Sequence, residues 1–183
     1  MDIKILKLDT TAPSFDEDFS KYKERFLEIL SKAFEVYYGD EYQMRRIVEG
    51  QSLLFLAIVD NVLVGVSYVK RNLRRGGTVV FPEQYRSLGI GELLVRESLK
   101  YFPKQYTILR LDNYPMISLM TKLGFRKAQS IQEVQDIVQD ELSKLSDFEK
   151  TEDGCLVFTR YSTRREAVRH KLTLLNNFKN EYS

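Results

Sequence analysis

Leu53-Leu54-Phe55-Leu56-Ala57-Ile58-Val59 is an unbroken apolar run of strand length. Such a run has no polar face to give to water, so it predicts a strand covered on both sides. Asp60-Asn61 follows as a two-residue turn, and Val62 to Val69 reads as the return strand of a hairpin. Asn72 to Gly77 predicts a second turn, and Thr78 to Phe81 a short third strand that Pro82 ends. A meander buried on both faces needs helices above and below it.

The flanking sequence supplies them. Ile3 to Leu8 roughly alternates and reads as a first strand. Ser14 with Glu17 forms a capping-box pattern. Behind it Phe19, Tyr22, Phe26, Ile29, Leu30, Ala33 and Tyr37 recur at helical spacing, predicting one long helix with Gly39 as its stop. A short helix over Glu41 to Glu49 ends at Gly50. Gly89 to Phe102 predicts a helix closed by Pro103, and Tyr106 to Leu111 a strand. Pro115 suits the first turn of another helix, carrying Met116, Leu119, Met120 and Leu123 and ended by Gly124; Phe125 opens a further strand. Ser130 and Glu133 start an inserted helix over about 131–146, Cys155 to Tyr161 reads as a strand, and Thr163 and Glu166 start a C-terminal helix over about 163–181. Mixed strands with interleaved helices give an α/β, or α+β mixed-sheet, class. At 183 residues the chain is read as a single domain, 1–183, with its core over about 1–129 and 154–162.

Composition narrows the chemistry. Lys+Arg total 28 and Asp+Glu 26, a net charge of 28 − 26 = +2, so no single field dominates the surface. No apolar run reaches the roughly 18–20 residues of a membrane helix, and the N-terminus lacks the basic start and apolar core of a signal peptide. The expectation is a cytoplasmic chain with no membrane partner. Cys155 is the one cysteine and His170 the one histidine, which argues against Cys/His catalysis and against a His/Cys metal site. Lys70-Arg71-Asn72-Leu73-Arg74-Arg75 is a basic hairpin tip, and Arg164, Arg165, Arg169 and Lys171 form a second basic cluster. Both read first as solvated charge, with an anionic acceptor, a cofactor phosphate or RNA as the functional readings. The near-balanced charge does not favour nucleic acid.

The segment that carries chemistry is Val80-Phe81-Pro82-Glu83-Gln84-Tyr85-Arg86-Ser87-Leu88-Gly89-Ile90-Gly91-Glu92. A strand ends, a turn follows, and a helix begins at two glycines. That arrangement presents unpaired backbone N–H groups at the positive end of a helix dipole, a site for phosphate or pyrophosphate. Glycine lets ligand oxygens approach the backbone. The segment is no Walker loop, because no Gly-Lys-Ser/Thr follows, and G-x-G-x-x-G is absent. A tight turn holding no ligand also fits these residues alone.

Arg86-Ser87-Leu88-Gly89-Ile90-Gly91 resembles the R/Q-x-x-G-x-G/A signature of the GCN5-related N-acetyltransferases (GNAT). Asn113, followed by Leu119 and by Gly124-Phe125, resembles that family's N-x-x-A-x-x-L-Y-x-x-x-G-F pattern. The resemblance implies the GNAT acyl-CoA N-acyltransferase fold, with acetyl-CoA as co-substrate and no metal. It implies that the backbone of Phe81, Pro82 and Glu83 pairs with the pantetheine arm. The amides of Arg86, Ser87, Leu88, Gly89, Ile90 and Gly91, with Glu92 at the helical end, would hold the pyrophosphate, and Asn113 would contact the pantetheine or shape the cleft. The implied reaction is direct transfer of an acetyl group to a primary amine, of a small molecule or a protein. Candidate bases are Glu83 and Asp112, with Tyr37, Tyr38 and Glu41 on the acceptor side.

The sequence departs from the pattern. Met120 stands where the family usually has an acidic Tyr, and a thioether cannot donate a proton; Met116 stands where Ala is usual. Pro82 and Arg86 are one residue farther apart than is common, predicting a bulge or shifted strand end. About twenty residues with helical character follow the Gly-Phe strand. The alternative reading is therefore a CoA-binding sensor or interaction module without catalysis. The apolar stripes of the inserted and C-terminal helices would cap the acceptor cleft or meet in a homodimer.

Overall fold

The computed structural model describes residues 2–34, 40–137 and 155–160. Strands β1 (Ile3–Asp9), β2 (Ser52–Val59), β3 (Val62–Lys70) and β4 (Gly76–Val80) form an antiparallel sheet in that order. Every residue of β2 is buried, as the apolar run requires. Asp60 and Asn61 both take positive φ, 49° and 64°, the primed geometry that matches the twist of a two-residue hairpin.

Helices cover both faces of this sheet. On one face α1 (Phe15–Ser20), α2 (Lys23–Phe34) and α3 (Asp40–Glu49) bury Phe15, Phe19, Phe26, Ile29, Leu30 and Ile47 against Leu54, Leu56, Leu63 and Val66. On the other, α4 (Ile90–Tyr101) lays Ile90, Leu94 and Phe102 on Phe55, Ala57, Val59 and Val64. The alternation along β2, even residues to one core and odd to the other, is the strand period at work. β5 (Gln105–Arg110), α5 (Tyr114–Lys122), β6 (Arg126–Lys127), α6 (Ile131–Gln135) and β7 (Cys155–Arg160) complete the fold. The second sheet is antiparallel in the order β5-β7-β6, so β7 lies between its neighbours.

Several expectations need correction. The first long helix is two helices, broken at Lys21 and Tyr22, with Tyr22 N–H donating to Phe19 O at 2.8 Å. The break lets Phe15 stack on Phe19 at 5.1 Å while Phe19 meets Phe26 edge-on. Ser14 does not form a capping box: its hydroxyl donates to Asp18 instead. Gly50 is required by a close approach, because a Cβ there would lie 2.9 Å from Lys70 Cγ; the left-handed residue is Gln51. Gly76 and Gly77 lie in β4 and not in a turn, because the Tyr68 ring occupies the space of a Cβ at Gly77, 2.8 Å from Cζ. β4 accordingly ends at Val80, one residue early.

The basic hairpin tip is not a solvated loop. Lys70 and Leu73 are buried, Arg71 pairs with Asp9, and the Arg74 guanidinium lies 4.7 Å from the centre of the Phe102 ring. Of the inserted helix the described residues hold Ile131–Gln135, with Val134 fully buried, and Asp136 and Ile137 after it form a turn. Glu133 does not close a box onto Ser130; it accepts from Gln129 N–H at 3.0 Å and pairs with Arg126. Positions 138–146 of the expected inserted helix, the C-terminal helix over 163–181, the second basic cluster, His170, Tyr37 and Tyr38 lie outside the described residues, as do most of the stripes read as a dimer surface. Among the described residues, no helix is long and apolar enough to cross a membrane.

Met120 is 3% exposed and packs with Val95, Leu109, Leu123 and Phe125. Met120→Ala is expected to lower unfolding free energy by about 2–5 kcal/mol in urea titration, the range for a buried Met truncated to Ala. Glu92 on α4 accepts from Lys122 on α5 and from Arg96, and those two bonds hold its carboxyl below the usual range. A depressed folded pKa gives stability that is present above the ordinary carboxylate pKa and lost as pH falls through the folded value. Glu92→Gln should therefore destabilise at neutral pH, and the gap to wild type should close on acidification through that range, as read by thermal melting.

Candidate active site

The site is made by two strands that start together and part. β5 runs beside β4 in parallel at its beginning, where Arg75 bridges Tyr106. There Tyr106 N–H donates to Arg74 O at 3.0 Å and the Thr107 hydroxyl to Gly76 O at 2.9 Å. Among the described residues, no backbone bridge joins Thr78–Val80 to Ile108–Arg110. β4 keeps its other edge on β3, and β5 turns to β7. Among the described residues the far ends of the two strands do not bond each other, and α4 and α5 both start from that end. Two helix N-termini make it electropositive.

The segment from Phe81 to Glu92 rims this opening. Phe81 N–H donates to Val64 O at 2.9 Å, which extends the β3–β4 ladder by one bond, and the Arg25 guanidinium lies 5.6 Å from the Phe81 ring centre. Pro82 is extended, and Glu83–Tyr85 form one 3-10 turn. That turn takes up the extra residue between Pro82 and Arg86. Arg86 staples it: Nη1 donates to Glu83 at 2.8 Å and Nε to Val80 O at 3.3 Å. Ser87 and Gly89 are left-handed, at φ 62° and 80°, and Leu88 is half exposed between them.

Ile90 is buried and anchors the start of α4, where Leu93 N–H closes the first turn on Gly89 O at 3.0 Å. Among the described residues, no backbone or side-chain acceptor takes the amides of Ser87, Leu88, Gly89, Ile90, Gly91 or Glu92. A run of free amides on a helix N-terminus with left-handed residues before it is an anion cradle. The two glycines differ. A Cβ on Gly89 would meet nothing within 4 Å, so that glycine serves its φ and leaves open space above the loop. A Cβ on Gly91 would make ordinary contacts with Leu119 and Val80, at 3.5 and 3.8 Å.

Asn113 caps α5: its Oδ1 accepts from Met116 N–H at 3.3 Å, leaving the side-chain amide nitrogen exposed beside the opening. Gly124, at φ 84°, ends α5 with Phe125 N–H bonded to Met120 O at 2.9 Å and Gly124 N–H to Thr121 O at 3.0 Å, the Schellman pattern. Asp112 is exposed and both its oxygens are bound by Arg110, at 3.0 and 2.7 Å. Glu83 is more exposed and gives one oxygen to Arg86. Met120, under α4, cannot reach solvent, and Met116 packs on the same cluster. Glu41 falls in the first turn of α3. Among the described residues, no three His, Cys, Asp or Glu side chains converge as a metal would need.

Sequence reasoning missed Arg25 and Tyr114. Arg25 sits on the amphipathic α2 as one more surface cation, yet its Nε donates to Leu63 O at 3.2 Å beside Phe81. Tyr114, 74% exposed, and the half-exposed Leu111 lie next to Asn113 and leave an apolar lip at the opening. Their signal, apolar residues around a strand end before a helix cap, is shared with ordinary core positions.

Comparisons with known proteins agree with this geometry. The sequence profile described as the Acetyltransferase (GNAT) family matches residues 21–125. An N-alpha-acetyltransferase of Saccharolobus solfataricus is 36% identical over 95 residues, 41% of this chain and 57% of that protein. One of Sulfurisphaera tokodaii is 28% identical over 126 residues, 58% of this chain and 75% of that protein. The chain thus matches a little over half the length of the first relative. The crystal structure of Arabidopsis thaliana NAA60 in complex with acetyl-CoA superposes with a TM-score of 0.58 at 18% identity, covering 86% of this chain and 97% of that one. That structure shares the fold. This chain belongs to the GNAT family of acetyltransferases.

Proposed function

We propose that the chain is an acetyl-CoA-dependent N-acetyltransferase acting on the α-amino group of a polypeptide, by direct attack in a ternary complex. The observation that carries the reading is the run of unpartnered amides from Ser87 to Glu92 at the mouth of the opened strands. With pyrophosphate on those amides, the rest of a CoA molecule would lie in the opening between the ends of β4 and β5. The named activity of the two archaeal relatives favours an α-amine over a small-molecule amine. A cytoplasmic setting is part of the same proposal.

Chemistry follows from the groups at hand. Holding amine and thioester side by side removes most of the entropic barrier. The amine must lose a proton before or as it attacks. Glu83 keeps an oxygen uncommitted, whereas both oxygens of Asp112 are held by Arg110, so Glu83 is the base in this reading, directly or through water. Phe81 N–H is taken by Val64 O and Pro82 has none, so the oxyanion is held by the Glu83 N–H. Carbonyl collapse expels CoA thiolate, which water protonates, since Met120 offers no proton. The buried Met120 is also the observation behind the second reading, a CoA-binding module without turnover.

Thiol release is measured with acetyl-CoA against a panel of short peptides with free α-amines, the same peptides N-blocked, and small amines. Transfer to free α-amines alone is expected; CoA binding with no transfer to any acceptor would leave the non-catalytic module. Gly89→Glu should abolish acetyl-CoA binding in calorimetric titration by setting a carboxylate in the open space over the loop, while Gly91→Ala should bind normally. Retained binding by a folded Gly89→Glu chain would displace the site. Glu83→Gln should lower kcat about 100-fold or more, the scale of general-base catalysis, with Asp112→Asn well below that.

A further inference from the structure

At the opposite end of the molecule α4 stops and the sheet runs on. Helix α4 has 12 residues, a length of about 18 Å. Beyond its C-terminus, on the same face of the sheet, β1 presents Lys7 and Asp9 and β3 leads into Arg71. The ammonium of Lys7 lies 4.6 Å from the centre of the Tyr101 ring, and Arg74 stacks on Phe102. Lys104, exposed, follows two residues later.

Among the described residues, cations outnumber carboxylates here. Asp9 is already used, because Arg71 takes one oxygen and Thr11 N–H and hydroxyl take the other, and Glu97 near the end of α4 pairs with Lys100. Arg71 Nε is buried without a hydrogen-bond partner. Arg74 has aromatic cover but no carboxylate among the described residues. Burial, and secondarily the charge of Arg71, lower the pKa of the Arg74 guanidinium. Two half-buried guanidiniums close together, with the one described carboxylate on Arg71 alone, are an arrangement that an added anion relieves. Planar donors beside the exposed Lys7 suit phosphate groups on a chain.

We propose that Lys7, Arg71 and Arg74, with Tyr101 and Phe102, form a second anion site that takes phosphate groups, at the end of α4 away from the loop at Gly89. The site is independent of the acetyl-transfer reading. Its phosphate comes from a single-stranded RNA backbone or from a free polyphosphate, and the test separates the two. A labelled 20-mer of uridine and inorganic tripolyphosphate are each titrated into the full chain with CoA at saturation, at several salt concentrations. The same titrations use Lys7→Gln and Arg74→Met, the first an exposed side chain whose loss does not endanger folding; acetyl-CoA binding serves as the check on fold. RNA bound with a log–log salt slope near −2, roughly 0.7 per phosphate for three contacts, and weakened about tenfold by each variant, supports the RNA source. Tripolyphosphate bound and equally weakened, without RNA binding, supports the free ligand. No binding of either, or binding that both variants leave unchanged, overturns the proposal.

Discussion

β4 and β5 are joined at their starts and nowhere further along among the described residues. Much of the site follows from that one join. Arg74 and Gly76 supply the carbonyls, Tyr106 and Thr107 the donors, and Gln105 fixes the corner by donating to Phe102 O and Ser98 Oγ, both at 3.2 Å. Each strand then finds its remaining partners elsewhere, β4 on β3 and β5 on β7. The backbone groups between them are left for something else to satisfy. An unpaired edge in a protein interior is costly unless it is filled, and in the proposed reading the CoA arm fills it.

Helix packing maintains the opening. The β4–α4–β5 crossover sends α4 back along the sheet, so its N-terminus sits over the open end. Burial of Ile90 and Leu94 on Ala57, Val59 and Val64 keeps it there. A Cβ on Gly65 would lie 3.0 Å from Leu94 Cδ1, so this glycine lets the helix settle onto the sheet. Glu92 and Lys122 tie α4 to α5 on the outer side. The anion cradle is thus built on rigid elements, with only Ser87 to Gly89 outside regular structure.

Local signals with a single physical cause were legible in the sequence. Asp60-Asn61, the helix start after Gly89 and the helix stop at Gly124 each need a left-handed residue or a free amide, and few residue types supply either. The apolar run of β2 announced helices on both faces. What failed needed a distant partner. Gly76 and Gly77 carry a turn signal, yet the Tyr68 ring makes a strand of them. Charges at Lys70 to Arg75 suggest solvent, yet Asp9 and Phe102 draw them in. The helix break at Lys21 has no Gly or Pro to mark it. Glu83 and Asp112 look alike as bases, and only the positions of Arg86 and Arg110 separate them.

Amide-resolved NMR of the labelled chain during addition of CoA tests the central claim most directly. The account predicts that the amide signals of Ser87 to Glu92 shift downfield together as they take the pyrophosphate, with that of Glu83 following as the opening between β4 and β5 is filled. Unchanged signals from Ser87 to Glu92 at saturating CoA, or shifts confined to another part of the fold, would contradict it.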